Sequence, residues 1–152
     1  MSNETGTVRL HRVLPAPIER VYKAFIDKSA LEYWMPPYGY TGTVHGDIDA
    51  RVGATYRMSF THFGSGNGNA FTVEFTELVP NRRIALIDRF EDENLPGEMR
   101  VTVDLETVSC GTEIHIVQAG IPSVIPVSGC YLGWQESLEQ LARLVVPEIP
   151  QA

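Results

Sequence analysis

The sequence predicts an α+β fold in which a curved antiparallel sheet of six or seven strands surrounds a long C-terminal helix. Three features lead to this prediction. Two short helical segments lie between Pro15 and Pro37, apolar and polar residues alternate with period two from Tyr40 onward, and one amphipathic helix closes the chain. A sheet curled around a single helix can enclose a cavity, so the question of function becomes what that cavity holds.

The N-terminal part of the chain predicts one strand followed by two short helices. Residues 8–14 alternate well enough for a strand. Pro17 suits the first position of a helix, because its missing N–H costs nothing there, and apolar residues recur at helical spacing after it. The pattern Ser29-x-x-Glu32 is typical of a reciprocal cap and predicts that the second helix begins there, while Pro36 ends it.

The central part of the chain has the alternation of half-buried antiparallel strands, in which one face is dry and one is wet. Turn signals rich in Gly, Pro and Asn separate the alternating stretches. The strands are expected over residues 43–50, 56–61, 71–76, 83–90, 99–106 and 112–119.

The closing helix carries an apolar stripe with spacings of three and four residues, made by Tyr131, Trp134, Leu138, Leu141 and Val145. Burying each such side chain contributes about 1.5–3 kcal/mol, so this stripe is expected to lie against the sheet. With no internal repeat or linker, residues 1–152 are expected to form one domain, with its core at about 8–146 and a frayed tail at 147–152.

Composition and charge exclude several classes of function. Asp and Glu number 19 against 12 Lys and Arg, for a net charge of -7, whereas a nucleic-acid-binding protein needs basic surface to displace counterions. No apolar stretch is long enough to span a membrane, and the N-terminus lacks the features of a signal peptide. Cys110 and Cys130 have no metal or redox spacing and are interpreted as reduced thiols. A cytoplasmic location is therefore expected.

Four segments in order carry a resemblance to a known family. They are A-P-I-E-R-V-Y-K-A-F with L-E-Y-W-M, residues 49–57, residues 73–84, and G-T-E-I-H-I with residues 133–141. The chain resembles the family named after activators of the heat-shock-protein-90 ATPase, within the START-like (SRPBCC) superfamily. The resemblance implies a helix-grip fold, in which the sheet grips the C-terminal helix over a cavity. It also implies ligand carriers, hormone receptors and polyketide cyclases among the wider relatives, and a link to stress response.

Metal and nucleophile patterns are weak. His45, Asp47 and Asp49 occupy alternate positions, which is interpreted as the solvated face of an edge strand rather than a metal site. The remaining histidines, His11, His62 and His115, have no metal-ligand spacing. No nucleophile elbow or phosphate loop is present in the sequence. No metal and no cofactor are expected.

Polar residues within apolar strand faces are the most useful indication of a site. Asp88, His62, Gln118 and Arg12 each continue an alternating apolar face. If those faces point inward, the polar groups must pair with one another or with a ligand, because burying them unpaired costs several kcal/mol. An ion pair of Arg12, or exposure at the cavity mouth, is an equally good interpretation.

The favoured hypothesis is a small-molecule binding protein that holds a hydrophobic or aromatic ligand between the sheet and the C-terminal helix. Asp88, His62 and Gln118 are the expected polar contacts, and the wall is expected to include Tyr131 and Trp134. The other lining candidates are Tyr56, Met58, Phe60, Phe75, Leu86, Met99, Val101, Ile116 and Leu138.

Two other classes stay open. A cyclase or hydrolase would use Asp88 or His62 as a general base in the same cavity. A co-chaperone of heat-shock protein 90 would need a large exposed patch, about 800 Å² on each partner. A chaperone partner is not favoured, and homodimerisation through a strand edge has no residue that points to it.

Overall fold

The computed structural model describes residues 5–146, which form a seven-stranded antiparallel sheet and three helices. The predicted α+β class and the curled sheet around the C-terminal helix are confirmed. The predicted frayed tail, 147–152, lies outside the described residues. The elements in chain order are β1 Gly6–Leu14, α1 Ile18–Ala24, α2 Lys28–Trp34, β2 Tyr40–His45, β3 Thr55–His62, β4 Gly68–Val79, β5 Arg83–Phe90, β6 Met99–Val108, β7 Gly111–Ile121 and α3 Val127–Val145.

The sheet follows the chain from β2 to β7 and is completed by the first strand. Its order is β1-β7-β6-β5-β4-β3-β2, so β1 and β2 are the two edges. The predicted strand over residues 43–50 is wrong in its bounds. The strand lies at Tyr40–His45 and ends where Gly46 adopts a φ of 84°, a left-handed conformation that favours glycine.

The two short helices lie where the sequence predicts them, but Pro17 is the N-cap of α1 rather than its first residue, and the start of α2 also differs. The side chain of Asp27 accepts a hydrogen bond from the Ala30 N–H at 2.9 Å, so Asp27 caps α2 and Ser29 lies inside its first turn. The predicted cap at Ser29 is therefore wrong, because a carboxylate two residues earlier already satisfies the free N–H. The Glu32 carboxylate instead accepts from the Val44 N–H of β2 at 2.8 Å.

The C-terminal half of α3 packs into the core, while its N-terminal half stands over the concave face of the sheet. Leu138, Leu141 and Val145 are buried, and α3 lies close to β1, α1 and α2. Side chains of α3 also satisfy carbonyls after α2: the Ser137 hydroxyl donates to Met35 at 2.7 Å, and the Gln140 amide donates to Pro36 at 2.6 Å. These contacts fix the height of α3 above the sheet.

Within residues 5–146, no helix combines the length and the apolar character required to cross a membrane.

Candidate ligand-binding cavity

A cavity of about 430 Å³ lies between the concave face of the sheet and the N-terminal half of α3. It is partly open to solvent, and most of its wall is apolar. Strands β3 to β7 form its floor and α3 its roof. This space is hereafter called the central cavity.

The central cavity brings together nine of the residues predicted from sequence, all of which line it: Tyr56, Met58, Phe60, Leu86, Asp88, Met99, Val101, Gln118 and Trp134. The alternating strands place them there because every second side chain of an inward-facing strand points to the same side. Whether each one contacts a ligand stays a prediction.

Five other predicted residues do not line the central cavity. Phe75, Ile116 and Leu138 are at most 1% exposed and belong to the packed core. Tyr131 is 42% exposed and points away, because the cavity side of the first turns of α3 is made by Gly129, Cys130 and Gly133. His62 lies at the end of β3 and accepts backbone N–H bonds from the following hairpin.

Several lining residues were not identified from the sequence. Phe71 belongs to a predicted strand with alternating apolar residues, so the same alternation could have identified it as a lining residue. It packs edge-to-face on Phe60, with ring centroids 5.2 Å apart. Phe90 lies on the same alternating face as Asp88 and was equally within reach of the pattern, whereas Cys130 and the α3 glycines carry no local signal for a cavity.

Two glycines in α3 face the central cavity and leave it room. A Cβ atom built on Gly129 or Gly133 meets no heavy atom within 4 Å. Glycine inside a helix costs about 0.5–1 kcal/mol relative to alanine. Neither glycine is needed for close packing. The two glycines therefore make α3 less stable than alanine would, and they leave the adjoining part of the cavity empty.

Asp88 places a carboxyl group on the floor of the central cavity. It lies in the fifth strand, directly opposite Val73 on one side and Met99 on the other. Among residues 5–146, no hydrogen bond or ion pair reaches its carboxyl group, which is partly exposed and opens onto the cavity. Burial raises the pKa of Asp88 to about 7. A carboxyl in this setting gains a proton or a hydrogen-bonding ligand more readily than an exposed one.

Tyr56 lies in the same row across the sheet, one strand beyond Val73. Burial raises the pKa of the Tyr56 hydroxyl, and the negative charge of Asp88 adds to the effect. The phenol therefore stays protonated and can act as a hydrogen-bond donor towards the cavity.

Gln118 and Trp134 join the floor to the roof. The Trp134 Nε1 donates to the Gln118 Oε1 at 2.8 Å. Because indole nitrogen can only donate, this bond fixes the orientation of the Gln118 amide. Its NH₂ group then lies 3.6 Å from the Met99 sulfur, a weak acceptor. Gln118 thus keeps donor capacity on the cavity side.

The other polar candidates lie elsewhere. Arg12 is half-buried in β1 and is not part of the cavity wall. Of His45, Asp47 and Asp49, only His45 lies in a strand, and its Nε2 is 2.9 Å from the Ser59 hydroxyl. Cys110 and Cys130 are free thiols, and burial raises the pKa of Cys130, so it stays an unreactive wall residue.

Comparisons with known proteins identify solved structures with the same overall fold. A Chromobacterium violaceum protein solved by X-ray crystallography is 54% identical, with a TM-score of 0.91, and the match covers 93% of this chain and 98% of that one. A Nitrosomonas europaea protein (20% identity, TM-score 0.76, 91% and 92% covered) and a Rhodobacter sphaeroides protein (19%, 0.79, 90% and 90%) share the fold. None of the curated proteins matches this chain.

The family model described as "Activator of Hsp90 ATPase homolog 1-like protein" matches residues 15–146. This match and the shared SRPBCC-like fold confirm the resemblance inferred from the four sequence segments. The chain therefore belongs to the family of activator of Hsp90 ATPase homolog 1-like proteins.

Proposed function

We propose that this protein reversibly binds a small hydrophobic or aromatic molecule in the central cavity. The family and the fold support a ligand-binding or co-chaperone-like domain. The observation that carries the choice is the cavity itself, about 430 Å³ of mostly apolar space with the Asp88 carboxyl in its floor. Ligand sites typically measure about 300–1,000 Å³ and combine apolar walls with a few polar groups.

Apolar walls would supply most of the affinity. The partly exposed rings of Phe60 and Phe71 and the buried side chains of Met58 and Val101 all belong to the wall. Apolar surface removed from water contributes about 25 cal/mol per Å², without directional preference. Such a wall suits a flat or oily molecule.

Polar groups would orient the ligand. The Tyr56 hydroxyl and the Gln118 amide are donors, and Asp88 is an acceptor when ionised. Because Asp88 has no protein partner among the described residues, a ligand group that donates a hydrogen bond would relieve the cost of its burial.

The test is to fill the central cavity without disturbing the core. The variant Gly133→Phe places a phenyl ring inside the central cavity. The control Leu132→Phe places the same ring on the exposed side of α3. The probe is the neutral dye N-phenyl-1-naphthylamine, which fluoresces more strongly in apolar surroundings. We expect saturable one-to-one binding by the wild type and by Leu132→Phe, and none by Gly133→Phe. Equal binding by all three would place the dye outside the cavity and contradict the proposal.

A second candidate is acid–base catalysis in the same cavity. A carboxyl whose pKa is raised to about 7 suits a general base or acid near neutral pH. Asp88 is favoured over His62 for this role, because His62 lies outside the cavity wall. Asp88→Asn separates the two functions: a carrier keeps binding a neutral ligand, whereas an enzyme keeps binding but loses turnover of a polyketone or ester substrate.

A further inference from the structure

The first and last strands bring together three metal-ligating side chains on the outer face of the sheet, opposite the central cavity. His11 of β1 lies directly across from His115 of β7, and Glu113 precedes His115 by two residues and so shares its face. The inward neighbours Leu10, Ile114 and Ile116 are buried in the core. The backbone beneath the cluster is therefore held by a paired and packed part of the sheet.

The carboxylate of Glu113 spans the two imidazoles. Its Oε2 lies 2.8 Å from the His11 Nε2, and its Oε1 lies 3.5 Å from the His115 Nε2. One ligand atom from each of the three residues can be chosen so that all lie within 4.8 Å of one another. The two rings are 4.6 Å apart between centroids and inclined at 34°, so both can face the same point.

These separations are close to those of a metal site. Zinc binds nitrogen and carboxylate oxygen at about 2.0–2.2 Å, which places two ligands of a tetrahedral ion about 3.4 Å apart. The 2.8 and 3.5 Å separations, which involve different oxygens of Glu113, lie near that value. One ligand atom from each residue can be chosen within 4.8 Å of the others, so the half-exposed histidine side chains would rotate inward to bind one ion. We propose that His11, Glu113 and His115 form a binding site for a divalent transition-metal ion of the zinc class.

The donor set selects the class of ion. Two imidazoles and one carboxylate suit zinc, nickel or copper, whereas calcium and magnesium prefer oxygen ligands alone. His11 and His115 are each about half exposed, at 52% and 54%, so a fourth position stays open to water. Such an ion would also tie the edge strand β1 to β7 across the sheet.

The simpler alternative is an exposed histidine–carboxylate pair. Exposed pairs contribute only about 0–1 kcal/mol to stability, and the present geometry is compatible with one. The two interpretations differ in one measurable respect, because an ion pair has no affinity for metal that depends on all three side chains together.

The experiment is isothermal titration calorimetry of the tag-free protein with zinc chloride near neutral pH, which measures the affinity and the number of ions bound. We expect one ion per chain, and a loss of affinity of more than about tenfold in His115→Ala and in Glu113→Gln, since even partners outside the ligand shell are worth about 10–100-fold. The control is His45→Ala, which removes an exposed histidine from the other half of the sheet. It should bind zinc as the wild type does.

Cobalt absorption provides a second readout that does not depend on stability. Tetrahedral Co²⁺ gives intense visible bands, which should appear with the wild type and disappear with His115→Ala. The proposal is overturned if the wild type takes up no zinc in a saturable one-to-one manner, if His115→Ala binds as well as the wild type, or if His45→Ala is equally impaired. Far-UV circular dichroism checks that each variant is folded.

Discussion

Replacing Asp88 by asparagine tests whether an unpaired carboxyl really lies in the apolar floor of the cavity. Asparagine has nearly the same shape as a protonated aspartic acid and cannot ionise. At alkaline pH the folded wild type must hold a carboxylate that burial disfavours, while the unfolded chain holds it in water. Asp88→Asn is therefore expected to be more stable than the wild type at about pH 8.5.

The size of the effect follows from the raised pKa. Burial moves the pKa of Asp88 from 3.8 to about 7, a change of roughly three units. At 1.36 kcal/mol per unit this corresponds to about 4 kcal/mol, an upper value because the cavity admits water. Since the folded-state pKa is the higher one, this contribution to stability is fully present below about pH 4 and is lost as the pH rises through 7.

The assay is urea unfolding of both proteins at several pH values between about 4.5 and 8.5. The advantage of Asp88→Asn should grow with pH between about 4.5 and 7 and level off above 7, and the control Asp47→Asn, at an exposed position, should show no such trend. Parallel pH dependences of the wild type and Asp88→Asn would refute the reasoning, since they would mean that Asp88 is as well solvated in the folded protein as in the unfolded chain.

Three further predictions concern the local structure. Gly133→Ala should raise the free energy of unfolding by about 0.5–1 kcal/mol, because its Cβ meets open space and glycine disfavours the helix; a loss of stability would show that the position is packed. Asp27→Ala should cost about 1 kcal/mol in denaturant unfolding and Ser29→Ala should cost little, whereas the reverse order would restore the cap predicted from sequence. Trp34→Ala should cost about 3–5 kcal/mol, since Trp34 is fully buried, and clearly more than Trp134→Ala at the cavity wall; equal melting curves would contradict this.

The architecture was accessible from sequence because its signals are local. Period-two alternation identified the inward faces of β3, β4 and β6, and those faces carry Tyr56, Phe71 and Met99 to the cavity. Pro17 indicated the start of the first short helix and Pro36 the end of the second. Each pattern involves residues that are close along the chain, so it can be recognised without knowledge of the tertiary structure.

Local sequence patterns could not predict which inward-facing residues line the cavity and which belong to the packed core. Met58 and Phe75 share the inward face, yet one lines the cavity and the other is enclosed by the core. The difference depends on where α3 crosses the sheet, and that is set by hydrogen bonds from Ser137 and Gln140 to the end of the second helix. Tyr131 lies outside the cavity wall for the same reason, since the sequence shows its position on the helix but not how the helix is rotated over the sheet.

The histidine cluster shows the limit of spacing arguments most clearly. His11 and Glu113 are separated by 102 positions and meet only because the first strand pairs with the last. A search for ligand spacings along the chain finds nothing there. Pairing between distant strands has to be known before such a group can be recognised.

The most direct test of the account is a crystal structure of the protein soaked with N-phenyl-1-naphthylamine. We expect electron density for the dye between the sheet and α3, bounded by Phe60 and Trp134 and within reach of Asp88. A cavity closed by side chains, or dye bound only on the outer surface, would contradict the claim that this space receives a ligand.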